Sequence, residues 1–361
     1  MSATLLTPES PEVAEPEEAK PDRLRPILAT VWRWTSALGV ALIIFSILLL
    51  TKGANPFQAL GDMFKLTFTS SRSVQEIFIQ MAPLVLGALA VAVPARAGLT
   101  NVGGEGQIII GAVAACGAFL FLGDSAPGGL IIVAMFAASM IAGALWAGIA
   151  ALMRLWAGVN EAISTLLLNF VALDILLFLI YQPWRESRTG QPTTRELVDT
   201  AKLPVISGTQ VHIGIIIAVV VTVIVWAVMR YTRWGFKIAV AGGNAEAARR
   251  SGLNVSMLVL SALMIGGALA GLAGMIHFAG VEYKLRPGFG YQLGYTSFLA
   301  CWLARHQPFP ILVAAFVFAS LSVAGDSLQL DSSLPAATIN VLTALILMAV
   351  LGWTAKRKVS V

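Results

Sequence analysis

The sequence is built from long apolar runs separated by short polar stretches, and most runs match the roughly 20 residues a helix needs to cross a bilayer. Crossings are expected at 27–50, 77–93, 102–122, 129–153, 162–181, 211–229, 257–280, 293–304, 311–324 and 336–353. The run at 293–304 is short for a full crossing. Ten crossings place both ends of the chain on one side. Composition agrees with this pattern: 57% of the 361 residues are hydrophobic and 12% are charged, about half the charged share of a soluble domain. Ten helices absorb the apolar residues, so no separate soluble catalytic domain is expected. The fold class is all-α, that of a polytopic membrane protein.

Residues 1–26 are polar, with Pro8, Pro11, Pro16 and Pro21 among Glu9, Glu12, Glu15, Glu17 and Glu18. They are expected to form a disordered tail and lack the basic start, short apolar stretch and cleavage site of a secretory signal. The membrane domain is then 27–353, followed by a short tail at 354–361. Lysines and arginines divide 15 against 9 between the two faces, and the richer face is expected to be cytoplasmic, with both termini and both tails. The formal charge of +5 is small for this length and points to anionic membrane lipid as its partner, not nucleic acid. Of the connections, 182–210 is a polar external loop, while 230–256 is the longest internal one, with Arg230, Arg233, Lys237, Arg249 and Arg250.

Enzyme chemistry is not visible. His212, His277 and His306 lie far apart and pair with no cysteine or carboxylate at metal-ligand spacing, and Cys116 and Cys301 sit in apolar runs as packing residues. The run GGNAEAARR lacks the lysine and the serine or threonine of a phosphate-binding loop, so the chain is not expected to bind nucleotide itself. No catalytic residue, metal or cofactor is expected. An intramembrane hydrolase would need a paired nucleophile and base, and none stands at convincing spacing.

The remaining candidates are polar residues at membrane depth. RAGLTNVGGEGQ at 96–107 breaks two apolar runs with glycines and places Asn101, Glu105 and Gln107 at the start of the third crossing. Unwound backbone at this depth survives only where protein buries it or where it lines a watery cavity. The polar groups therefore either face a solute path or belong to an ordinary helix start capped by Asn101. In the fifth crossing Glu161, Thr165 and Asn169 recur every four residues and form one stripe that must face protein. Interhelical hydrogen bonding and solute contact are both open for Thr165 and Asn169. Asp174 lies about 140° around the helix from Asn169 and needs its own partner or water. In the seventh crossing, SALMIGGALAGLAG sets Gly267 and Gly271, and Ala270 and Gly274, four apart, a spacing for close helix packing. Trp32, Trp34, Trp184 and Trp353 near the ends of runs read as interfacial anchors.

Several strings together resemble one family, the membrane permease subunits of bacterial ATP-binding cassette importers, in the branch serving nucleosides, simple sugars and branched-chain amino acids. GLTNVGGEGQIIIGA at 98–112, AGVNEAISTLLLNF at 157–170, GFKIAVAGGNAEAARRSGLNV at 235–255 and SALMIGGALAGLAG are similar to its ordered signatures. The resemblance covers nearly everything after the first tail. It implies a type II importer permease fold with two matched groups of spans, in the bacterial cytoplasmic (inner) membrane. It further implies a cytoplasmic ATPase, an extracytoplasmic solute-binding protein and, since the longer permease of a nucleoside-type pair fits best by length, a second homologous permease in a heterodimer. Under it, the chain forms half of the path for a nucleoside-like or sugar-like solute, with Asn101, Glu105, Gln107, Thr165, Asn169 and Asp174 beside that path.

The internal loop also gains a task. A short helix near 245–251, small on one side and basic on the other, is expected to dock into the ATPase as a lever, with Gly243, Asn244, Ala247, Ala248, Arg249 and Gly252 at the contact. In one place the sequence departs from the family pattern: Ser297, Phe298 and Leu299 stand in GYTSFL where smaller residues are usual, which bears on the choice of solute. A competing reading, an ion-coupled secondary transporter of a small polar solute, would give Glu105 and Asp174 the coupling ion.

Overall fold

The computed structural model describes residues 36, 39, 40, 42–187, 189–332, 341, 344 and 345. The two tails, the crossing expected at 336–353 and most of that at 27–50 lie outside these residues. The described helices are α1 (Leu42–Thr51), α2 (Pro56–Thr69), α3 (Ser71–Arg96), α4 (Gly104–Leu122), α5 (Gly128–Ala157), α6 (Glu161–Tyr181), α7 (Gly214–Tyr231), α8 (Arg233–Gly243), α9 (Ala245–Arg250), α10 (Val255–His277), α11 (Leu293–Leu303) and α12 (Pro308–Ser332). Among the described residues seven helices are long and apolar enough to cross a membrane. They are α3, α4, α5, α6, α7, α10 with its extension to Glu282, and α12. The bent pair α1 and α2, turned by 111°, makes an eighth if counted as one span.

The count of ten is therefore approximate: the crossing expected at 336–353 lies outside the described residues, and the run at 293–304 forms a helix too short to span. α11 has 11 residues, about 16 Å at 1.5 Å per residue, which is half a bilayer core. The stretch from Tyr283 to Gln292, between the end of the α10 span and α11, is irregular. The pattern also missed α2, which lies crosswise to α1 and opens with Pro56 behind an Asn55 cap that accepts from the Phe57 and Gln58 amides.

α10 runs through the middle of the bundle, packed against α3, α4 and α5. Its glycines are what let three helices reach it. A Cβ on Gly271 would overlap the Ser139 carbonyl of α5, and one on Gly274 the Ile108 carbonyl of α4. The four-residue spacing thus does the packing expected of it, toward two neighbours at once. Cys116 and Cys301 are free and buried.

Two rims follow. At one, the α3–α4 link packs against α8 through Gly98 and Gly242, and the α5–α6 turn joins it through Glu161. At the other, Asp124 pairs with Arg195 and the Gln210 amide donates to Gln75 Oε1 at 2.6 Å. The 182–213 loop covers this second rim. It rests on the segment between α10 and α11, where the Leu197 amide donates to the Tyr283 carbonyl and that of Thr194 to the Leu285 carbonyl.

Candidate functional site

Five of the six polar residues expected beside a path come together in one cluster, and their hydrogen bonds are made within the chain. Asn101 is fully buried. Its Nδ2 donates to the Ala90 carbonyl at 3.3 Å and to Gln107 Oε1 at 3.0 Å, while its Oδ1 accepts from the Gly103 amide at 3.1 Å and from Gln107 Nε2 at 3.0 Å. That is the whole capacity of a carboxamide. The α6 stripe acts as a rack for the same link: Glu161 Oε1 accepts from the Thr100 amide at 3.1 Å, Thr165 Oγ1 from Val102 at 3.2 Å, and Asn169 Oδ1 from Gly106 at 2.8 Å. Glu161 also pairs with Arg154. The stripe faces protein, as its spacing requires, and what it grips is unwound backbone. Asp174 is the one left apart. It is exposed on α6 and has no hydrogen bond or ion pair among the described residues.

Glu105 connects this lock to the second break. Its carboxylate sits in the first turn of α4 and accepts from the amides of Gln292, at 2.8 Å, and Gly294, at 2.7 Å, at the start of α11. Two helix N-termini, each with unpaired amides and a partial positive charge, thereby converge on one carboxylate. The contact is close because both sides are glycine: a Cβ on Gly294 would overlap the Glu105 backbone.

The second break begins at the end of α10. A π-helical turn, Phe278–Glu282, is followed by Tyr283 in the left-handed region at φ 60°, and the segment ends on Gln292, also left-handed at φ 62°. Glu282 anchors the turn. Its Oε1 lies 3.1 Å from His277 Nε2 and accepts from the Gly290 amide at 3.3 Å, and its Oε2 accepts from Arg286 Nε at 2.7 Å. Two carboxylates, Glu282 and Glu105, therefore hold the alternate amides of residues 290, 292 and 294.

In front of this segment lies a cavity of about 590 Å³, a volume in the range of small-molecule sites. α3 gives it Gln80 and Leu84, α10 gives His277 and Glu282, the segment gives Tyr291 and Gln292, α11 gives Tyr295 and Thr296, and α12 gives Phe318 and Ser322. None of Asn101, Glu105, Gln107, Thr165 and Asn169 is in its lining. Two of them reach it through one intermediate: Glu105 through Gln292, and Asn169 through Tyr295, whose hydroxyl accepts from Asn169 Nδ2 at 3.3 Å. Sequence reasoning missed the lining polar residues because each stands alone in its run. The glycines at 288, 290 and 294 were the available sign.

Beneath the covering loop, His212 packs on Gly280 of the π turn, and its Nδ1 accepts from the Gly214 amide at 3.0 Å. Burial, and secondarily the nearby His277, push its pKa down to about 4.

On the opposite rim, α8 and α9 form a hairpin whose tip is exposed. Asn244 caps α9 by accepting from the Ala247 amide at 2.9 Å, and Glu246 pairs with Arg249 and Arg250. Gly243, Asn244, Ala247, Arg249 and Gly252 are exposed, while Ala248 is fully buried against the chain's own core with Ile238 and Leu258. The small side of α9 is thus its seat on the membrane domain, and the outward side is the free one.

Comparison with known proteins converges on one assignment. The family model described as branched-chain amino acid transport system / permease component matches residues 73–351. A glucose ABC transporter permease protein of Haloferax volcanii is 34% identical over 85% of this chain and 83% of its own length. A nucleoside ABC transporter permease protein of Lactococcus lactis is 27% identical over 86% of the chain and 88% of its own, and a guanosine ABC transporter permease protein of Bacillus subtilis 26% identical over 84% and 88%. The broken helices, the central glycine-packed α10 and the exposed hairpin are all features of the matched span, and the chain belongs to this family, as a multi-pass permease subunit of an ATP-binding cassette transporter.

Proposed function

We propose that the chain is the longer permease of a heterodimeric importer in the bacterial inner membrane, with both termini cytoplasmic, and that it carries half of the path for a nucleoside or simple sugar. The observation that carries this reading is the 590 Å³ cavity at the break between α10 and α11. Its lining offers tyrosine rings, amides and hydroxyls with a single carboxylate, Glu282, that is already paired with Arg286, which suits a neutral solute rich in hydroxyls. Shallow, exchangeable hydrogen bonds of this kind let a conduit release what it admits. The names of the relatives, for glucose, nucleosides and guanosine, support the same solute class. Asn101, Gln107, Thr165 and Asn169, with Glu105, serve the path by fixing the wall behind it. Asp174 supports the pairing: an ionisable group at lipid depth costs about 3 kcal/mol unless protein or water faces it, so the outer face of α6 turns toward the second permease. The external loop meets the solute-binding protein, and the α8–α9 tip meets the ATPase.

The test is uptake of radiolabelled guanosine and glucose by cells with and without this chain. Accumulation of one of them is expected to vanish without it. Loss of leucine uptake with both others intact would overturn the solute class. Co-purification after mild solubilisation is expected to bring down an ATPase and a second permease.

A further inference from the structure

The cavity holds one carboxylate, and its hydrogen bonds are not all used. A carboxylate offers about four lone-pair sites. On Glu282, Oε1 takes His277 Nε2 and the Gly290 amide, while Oε2 takes only Arg286 Nε. The side chain is 10% exposed and lies in the cavity wall, so the remaining site on Oε2 is the strongest hydrogen-bond acceptor presented to a solute. Around it stand groups with capacity to spare. Gln80 donates from Nε2 to Glu76 at 3.2 Å, and its Oε1, with no hydrogen bond among the described residues, is a second acceptor. The Gln292 side-chain carboxamide and the Thr296 hydroxyl make no hydrogen bond among the described residues. Glu282 and Gln80 thus bring two open acceptors to one cavity, and the matching ligand group is a donor of two hydrogens.

We infer that Glu282, held by His277 and Arg286, together with Gln80 of the same cavity lining, is the subsite that reads a pair of adjacent hydroxyls on the solute. The inference rests on the proposed sugar or nucleoside class and names the atoms that select it. A vicinal diol donates one hydroxyl to Glu282 Oε2 and the other to Gln80 Oε1. Arg286 and His277 supply the orientation: with both bonds made, the carboxylate cannot rotate its open site away. A neutral acceptor in its place would bind the diol more weakly, because hydrogen bonds to a charged partner are about twice as strong. Selection here is independent of the solute-binding protein, which hands over its cargo before the solute reaches this wall.

Weak binding to the complete importer in lipid nanodiscs, without the binding protein, reads this directly. Saturation-transfer NMR would compare adenosine with 2′,3′-dideoxyadenosine and methyl glucoside with methyl 3-deoxyglucoside, which has no adjacent pair of free hydroxyls, and leucine would serve as a third class. The wild-type importer is expected to bind one parent about tenfold more tightly than its deoxy analogue, the discrimination worth one charged hydrogen bond. Glu282→Gln, which leaves a neutral acceptor, should lose most of the difference between parent and analogue, and Gln80→Leu should lose part of it while keeping the Glu282 cluster intact. An unchanged ratio in both variants, or no ratio in the wild type, overturns the subsite. If Glu282→Gln fails to assemble, Gln80→Leu and the wild-type ratio still decide. Binding of leucine with neither parent bound overturns the solute class itself, and is a separate result.

Discussion

The chain breaks its membrane helices twice, between α3 and α4 and between α10 and α11, and the two breaks are put to opposite uses. At the first, every polar group expected beside a path has been turned inward. Asn101 spends all its hydrogen bonds on Ala90, Gly103 and Gln107, and α6 holds the amides of Thr100, Val102 and Gly106. At the second, two carboxylates hold the backbone and the other polar side chains are left facing a cavity. A polar residue at membrane depth is thus a poor sign of a solute path until its partners are known. Saturated groups build walls, and unsaturated ones beside a cavity face what passes.

The sharpest way to break this contrast is to remove the saturated amide. Asn101→Leu leaves the Gly103 amide, the Ala90 carbonyl and the Gln107 carboxamide buried without partners, at a cost of about 3–5 kcal/mol. Its expected signature is a large fall in detergent melting temperature, with uptake reduced only in proportion to the folded importer recovered. An Asn101→Leu importer that melts as the wild type does, yet no longer moves solute, would return Asn101 to the path.

The second break carries its own weak point against acid. His212 lies under the π turn, 2% exposed, with Nδ1 accepting from Gly214, so a second proton would set two N–H groups against each other. Burial holds its pKa at about 4, below the ordinary histidine value of 6.5. Above pH 6.5 neither folded nor unfolded chain is protonated there, and nothing is lost. Between pH 6.5 and about 4 the unfolded chain takes a proton that the folded one refuses. Stability should therefore fall on acidification through that window, by up to about 3 kcal/mol. His212→Gln is expected to flatten the pH dependence of melting in that range; an unaltered slope would assign the acid sensitivity elsewhere.

Much of the fold was legible because apolar length dictates it. The runs that became α3 to α7, α10 and α12 were long and unbroken, and Gly267, Gly271 and Gly274 announced the central helix. α11 was misjudged because a half-crossing and the irregular segment before it have the composition of a short span. The candidate residues were legible as a set: Asn101, Glu105, Gln107, Thr165 and Asn169 do meet. Their orientation was not, since spacing along one helix says that a stripe faces protein without saying whether it faces backbone or a cavity. Glu282, Gln292 and Thr296 had no stripe at all, and only a π turn and two left-handed residues aim them.

Those lining residues predict a smaller effect on stability and a larger one on transport. The Thr296 hydroxyl makes no hydrogen bond among the described residues, and replacing the residue by valine conserves its volume. Thr296→Val should change stability by less than about 0.5 kcal/mol while altering the initial rate of uptake severalfold at equal amounts of importer. Equal rates would separate the cavity from the route of the solute.

The same rule of inward and outward groups sharpens the ATPase contact. Ala248 was among the residues expected to touch the motor, but it is fully buried between α8 and α10. An aspartate there would place an unpaired charge in the chain's own core and unseat α9, so loss of coupling in Ala248→Asp would not separate a broken lever from a broken hinge. Ala247, one position earlier, is exposed, and only its backbone is used, accepting from Ser251 Oγ and donating to Asn244. Ala247→Trp therefore keeps the α9 fold, with an expected stability change within about 0.5 kcal/mol, and adds bulk only on the outward side. If that side is the handle, solute uptake should fall at least severalfold while the ATPase still turns over and the permease pair still assembles. Full uptake with a tryptophan at the tip would mean that the motor grips the membrane domain somewhere other than the α8–α9 hairpin.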